Sequence, residues 1–143
     1  MPVNGFSVGR DLSVSIMTPA GALRPDLITA FSAKPDTVEI KTKGLDGVTR
    51  HLRFPDGWSG SMMVDRKNGV LDSYFADVEA NYYAGLDEKA SQITQTIAEA
   101  DGSVSQYRFV GVLLTLTDGG EWAGAKQVSQ SVSFVAERRV KVA

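Results

Sequence analysis

The chain has 143 residues, 43% hydrophobic and 22% charged, a balance that suits one packed core and excludes long disorder. A formal net charge of −2 excludes a broad basic surface for nucleic acid, and the lack of cysteine excludes disulfides and thiolate metal sites. No apolar run is long enough to span a bilayer, and MPVNGFSVGRDLSV lacks the basic-then-apolar order of a secretory leader, so synthesis and folding in the cytoplasm are expected.

The first predicted element is a half-buried strand over Asp11–Met17, with Leu12, Val14 and Ile16 on one face and Asp11, Ser13 and Ser15 on the other. Thr18-Pro19-Ala20-Gly21 breaks it. Leu27–Ala33 reads as a second strand and Pro35-Asp36 as a turn. A third strand follows, with Val38, Ile40 and Thr42 inward and Glu39, Lys41 and Lys43 on a charged outer face. Gly44–Gly57 is rich in turn formers and carries Arg50, His51 and Arg53. It is either a long loop or a projecting hairpin with Val48, Leu52 and Phe54 on its arms. Long connections are often functional, which makes it the first candidate interaction element.

Gly57–Arg66 is the next strand, with Trp58, Gly60, Met62 and Val64 on one side and Ser59, Ser61, Met63 and Asp65 on the other. Gly60 within it allows a large side chain or another backbone to approach. Asn68 is a good N-cap for the one confident helix. Its apolar stripe is Leu71, Tyr74, Phe75, Val78 and Tyr82, and Gly85 is a natural stop. Ser91–Ala100 favours strand because of its β-branched residues, and Asp101-Gly102 signals a hairpin. Ser103–Leu116 alternates and then becomes wholly apolar at FVGVLL, a run buried on both faces or set against a partner. Gln127–Ala136 is the last strand, with Val128, Val132 and Phe134 opposed to Ser129, Ser131 and Ser133. Arg138, Arg139 and Lys141 read as a solvated tail. Six or seven strands and one helix emerge. The fold expected is mainly β, a β-sandwich or partly closed antiparallel barrel, with one flanking α-helix and a single domain over residues 1–143.

No residue pattern carries catalysis. His51 is the only histidine, so one chain cannot build a triad or a two-histidine metal site; it reads as an exposed loop residue. Asp77 with Glu79, two apart on a helix, do not face each other, and Asp87-Glu88 reads as solubility. The glycines around Gly57 and Gly60 lack a following lysine-serine pair, so no phosphate loop is present. No catalytic residue, metal or cofactor is expected. Trp122, in DGGEWAGAK, either tucks over the core or anchors another subunit, and Tyr82 and Tyr83 are candidates for a subunit contact.

The order GWSGSMMVDRKNGVLDSYFADVEANYYAG, then SQITQTIAEADGSVSQYRFVGVLLTLTDGGEWAGAKQVSQSVSFVAE, resembles phage tail tube proteins of the contractile-tail, myophage-like kind. The likeness covers about two thirds of the chain, Gly57–Glu137. It rests on element order and a few residue types: Gly60 and Ser61 before the helix, Tyr107–Val112, and Gln130–Phe134 in the last strand. The resemblance implies hexameric rings stacked into a hollow tube in a virion tail, assembled in the bacterial cytoplasm, through which DNA passes without specific binding. Its implied partners are further copies, with sheath, baseplate, tape-measure and tail-terminator proteins. It places Leu45, Val48, Arg50, His51, Leu52, Arg53 and Phe54 in a loop reaching the next ring. The polar strand faces at Thr94, Thr96, Ser129, Ser131 and Ser133 are candidates to line the channel. The competing readings are a baseplate, terminator or secretion-system ring, and a monomeric β-barrel binding module; an enzyme is the weakest.

Overall fold

The computed structural model describes residues 2–23 and 27–143. After a short 3-10 turn at Gly9–Asp11 come β1 (Leu12–Thr18), β2 (Gly21–Leu23), β3 (Ile28–Lys43) and β4 (Thr49–Asp65). The helix α1 (Val70–Tyr83) follows, and then β5 (Ser91–Ala98), β6 (Val104–Asp118), β7 (Ser129–Ala136) and β8 (Arg138–Lys141). The strands form one antiparallel sheet in the order β2-β1-β5-β6-β7-β4-β3, with β8 also paired to β6. The sheet is not closed into a barrel.

Strand β6 joins the two halves. Its first part pairs with β5 and β8, through Tyr107↔Gln95 and Tyr107↔Lys141, and its second part pairs with β7, through Leu114↔Phe134. Side chains of both halves enter one core: Ile16, Ile93, Phe109 and Val112 from one, Met62, Val64, Val132 and Phe134 from the other. Burying each such side chain contributes about 2 kcal/mol. The aromatic centre is tight. The Phe134 ring lies 5.7 Å from Phe31, nearly parallel, and 5.6 Å from Phe109, edge-on. Trp58 meets Phe109 edge-on at 5.6 Å. Gly60 is required beneath this cluster, because a Cβ there would fall 2.2 Å from the Ser32 carbonyl oxygen and 2.6 Å from Phe134 Cζ.

Helix α1 attaches mainly by its first half. Leu71 is buried, and Val70, Tyr74 and Phe75 pack on the core. The N-cap position is Gly69, one residue later than expected; the Asn68 Oδ1 accepts from the Val70 N–H at 3.1 Å. At the other end Gly85 adopts φ +78°, its N–H donates to Tyr82 O, and the Leu86 N–H reaches back to Asn81 O. This paired closure stops the helix and needs a left-handed residue, which glycine supplies. A buried polar group ties the helix start to the sheet. Gln130, 1% exposed, donates from Nε2 to Asp72 Oδ1 at 2.8 Å, and Asp72 Oδ2 accepts from Arg66 Nε at 2.9 Å.

Four expectations are corrected. Pro35-Asp36 is not a turn: the two strands expected on either side are one strand, β3, with a register shift between Pro35 and Thr37. As an edge strand, β3 tolerates a proline at such an irregularity, whereas a central strand would lose a ladder bond. Val38 and Ile40 do not face the core; each is about half exposed. Arg138–Lys141 is no solvated tail but a strand, held by Arg139, whose guanidinium lies 4.2 Å from the Trp58 ring centroid and 4.3 Å from that of Tyr107. Tyr82 leaves the packed helix stripe: Val70, Leu71, Tyr74 and Phe75 hold the helix to the core, and the Tyr82 ring stands largely in solvent.

Candidate assembly surfaces

The most distinctive surface is the outer half of the β3–β4 hairpin. Neither reading of Gly44–Gly57 holds as stated: the segment is a turn and one arm, the start of β4, and the other arm is residues 37–43 of β3. Beyond Trp58, β4 loses β7 as a neighbour and pairs only with β3, from Thr37↔Pro55 out to Lys43↔Thr49. These seven rungs make a two-stranded ribbon about 20 Å long, at ~3.4 Å per residue. The turn at its tip is closed by Asp46, whose carboxylate accepts from Arg50 Nη2 at 3.0 Å and from the Val48 N–H at 3.0 Å. Those contacts, the Arg50 bond first, hold the Asp46 pKa below its ordinary value.

Alternation divides the ribbon into two faces. Val38 and Ile40 on β3 stand opposite Phe54 and Leu52 on β4, so four large apolar side chains share one face, each about half exposed. Lys41, Lys43, His51 and Arg53 share the other with Glu39. Leu45 sits wholly exposed at the tip, and Val48 is half exposed beside it. Isolated two-stranded ribbons are marginal in water, and unpartnered apolar faces mark interaction sites. All seven residues expected of a reaching element, Leu45, Val48, Arg50, His51, Leu52, Arg53 and Phe54, therefore lie on one projection. Sequence reasoning missed that Val38 and Ile40 complete its apolar face. The signal was present: their alternation repeats that of Leu52 and Phe54 across the turn.

The second surface is the free end of α1. Tyr82 and Tyr83, 74% and 78% exposed, meet edge-on at 5.3 Å, and Leu86 is exposed next to them. Trp122 does not tuck over the core. It is 68% exposed, with the Arg66 guanidinium 5.0 Å from its ring centroid. The same Arg66 is bonded to Asp72, so the buried Gln130 indirectly fixes the cation beside Trp122.

The third surface is the face of the sheet turned away from the core. Thr94 lies between Ser15 and Arg108, and Thr96 between Ser13 and Gln106. In the other half, Ser32, Ser61, Ser133 and Thr115 form a row of hydroxyls across four strands, with Ser131 next to Met63 in the adjacent row. Ser129 is engaged at the margin, donating to Asp65 Oδ1 at 2.8 Å. The five polar strand residues singled out in the sequence thus share one face of one sheet and are half-buried, alongside the exposed apolar side chains of Met17, Met63, Leu113 and Val135 and the cations Lys34 and Arg108. Among the described residues no group of three or more His, Cys, Asp or Glu is placed to hold a metal ion, and no helix is long and apolar enough to cross a membrane.

No protein-family model and no curated protein matches the sequence. Solved structures do match. A chain from the sheath-tube complex of an extracellular contractile injection system in its extended state superposes with a TM-score of 0.62 at 11% identity, covering 91% of this chain and 88% of that one. The fold is tail-tube-like. A chain from the sheath/tube terminator of such a system matches at 0.60 and 10% identity, covering 100% and 96%. One from the tube terminating cap of the anti-feeding prophage matches at 0.60 and 9%, covering 99% and 94%. Coverage of this extent brings the N-terminal third into the likeness, beyond the Gly57–Glu137 span that sequence resemblance reached.

Proposed function

We propose that this protein is a structural, non-enzymatic subunit of a phage or phage-like tail tube, forming rings, six-membered by analogy, that stack into a hollow conduit for DNA. The observation that carries this reading is the projecting ribbon with a half-exposed apolar face on a tail-tube-like fold. Such a face is costly to leave in water and is covered when a neighbour seats on it. Contacts between unlike surfaces of identical subunits close into rings or continue as filaments, and a stacked tube combines both. The hydroxyl-rich sheet face suits a channel lining, since it offers polar groups with few cations to hold phosphates in passage. Sheath, baseplate, tape-measure and terminator proteins are the partners such a subunit would meet, in a virion tail assembled in the bacterial cytoplasm.

A second reading has its own support. The terminator and terminating-cap chains match over nearly their full lengths with TM-scores close to that of the sheath-tube chain. On that reading the ring forms but does not propagate. Negative-stain microscopy of the purified chain over rising concentration separates the two: the tube reading gives rings at low and tubes at high concentration, the terminator reading rings throughout. A monodisperse monomer at the highest concentration would overturn both.

A further inference from the structure

Helix α1 and its C-terminal flank carry a charge bias opposite in sign to that of the ribbon. Gly69–Glu88 carries five carboxylates, Asp72, Asp77, Glu79, Asp87 and Glu88, and no lysine or arginine. The ribbon, residues 37–55, carries four cations, Lys41, Lys43, Arg50 and Arg53, besides His51, against two carboxylates, Asp46 at the turn and Glu39 opposite Arg53. Apart from Asp72 with Arg66 and Asp46 with Arg50, none of these charges has an ion-pair partner among the described residues. The acidic segment also borders a groove of about 550 Å³ between the helix end and the β1–β2 turn. Its apolar wall is Pro19, Val78, Tyr82 and Leu86; Asp77, Asp87 and Glu88 line it, with Lys89 as the one cation among the described residues. The partial negative charge at a helix C-terminus adds to the same field.

Resting on the tube reading above, we propose that this groove receives the ribbon tip of a second copy of the chain. The exposed Leu45 and Val48 enter against Tyr82 and Leu86, while Lys41, Lys43 and Arg53 face Asp77, Asp87 and Glu88. The complementarity is twofold, apolar tip to apolar wall and cations to carboxylates. Opposed potentials of this kind fix register and partner choice more than raw affinity. The ribbon extends away from its own sheet, so its tip is free to enter a neighbour's groove.

The test uses the full-length chain, whose lack of cysteine makes engineered crosslinks unambiguous. Leu45 and Leu86 are both exposed, so the Leu45→Cys/Leu86→Cys variant keeps its fold. On oxidation under assembling conditions it gives a ladder of disulfide-linked multimers, and each single variant gives dimers at most. The charge-reversed Asp77→Lys/Asp87→Lys and Lys41→Glu/Arg53→Glu proteins each assemble only at a concentration at least tenfold higher than wild type. Combining all four substitutions restores most of the loss. Tubes that form normally without the ladder, or charge reversals that leave assembly unchanged, overturn the docking while leaving the tube reading intact. Groove reversals that spare tube formation but abolish binding of a basic partner protein assign the groove to that partner. Wild-type protein that never assembles overturns both.

Discussion

The sheet around Phe134 and the ribbon beyond Trp58 are built from the same alternating pattern, yet only the first closes on itself. In the sheet, Met62, Val64, Val132 and Phe134 point to a side that the other half covers, and each is at most 2% exposed. In the ribbon, Val38, Ile40, Leu52 and Phe54 point to a side that none of the described residues covers, and each stays near half exposure. Periodicity states which residues share a face. Whether that face is covered is a property of the fold and, for the ribbon, of the assembly.

The sharpest way to break the comparison is to damage the sheet. Gly60→Val places branched carbons against the Ser32 carbonyl and the Phe134 ring, and overpacking of that severity costs about 3 kcal/mol or more. The expected outcome is a chain that unfolds at far lower denaturant or accumulates insoluble; an unchanged unfolding midpoint would show that the strand can shift to accept the side chain.

The converse experiment targets the ribbon. Leu52→Ser with Phe54→Ser costs the subunit only about 1–2 kcal/mol, because both side chains are half exposed and lose little beyond their cross-strand pairs with Ile40 and Val38. Assembly is lost all the same, as sedimentation velocity would register. A monomer as destabilised as the Gly60 variant would mean that the ribbon packs within its own chain.

The smallest effect concerns the ribbon tip. The folded pKa of Asp46 lies below its ordinary value of 3.8 because its charged form is bonded to Arg50 and the Val48 N–H. The contribution is therefore complete above the unfolded-chain pKa and is lost as pH falls through the depressed folded one. NMR shifts of Gly47, Val48 and Arg50 should titrate together on acidification below that ordinary value. In an Asp46→Asn protein this coupled titration is absent, while the core resonances of both proteins stay still.

Much of the sheet was legible because local and tertiary signals agree there. Leu12/Val14/Ile16, Met62/Val64 and Val132/Phe134 alternate cleanly, Asp101-Gly102 turns where it should, and Gly85 ends the helix by a definable closure. Three features were not legible. Pro35-Asp36 has turn chemistry, and only knowing that β3 is an edge reveals a bulge instead. Arg138–Lys141 is short and charged, and its place in the sheet depends on distant Trp58 and Tyr107 stacking on Arg139. Gln130 interrupts an apolar face, and its role appears only once Asp72 and Arg66 are seen beside it. The candidate surfaces divide in the same way. The hairpin was foreshadowed by its turn formers, whereas the apolar ribbon face and the acidic groove are products of residues brought together from separate segments.

The irregularity at Pro35 has a consequence for how such a molecule avoids clumping. A long uninterrupted border of sixteen residues would template sideways zippering of one molecule onto the next, the route to disordered fibres. The missing amide proton of proline and the slip in register cut that border into two short runs, and Lys34, Lys41 and Lys43 place repelling charge along it. Unspecific strand-to-strand pairing along this border is thereby discouraged, which leaves association to surfaces that fit a defined neighbour.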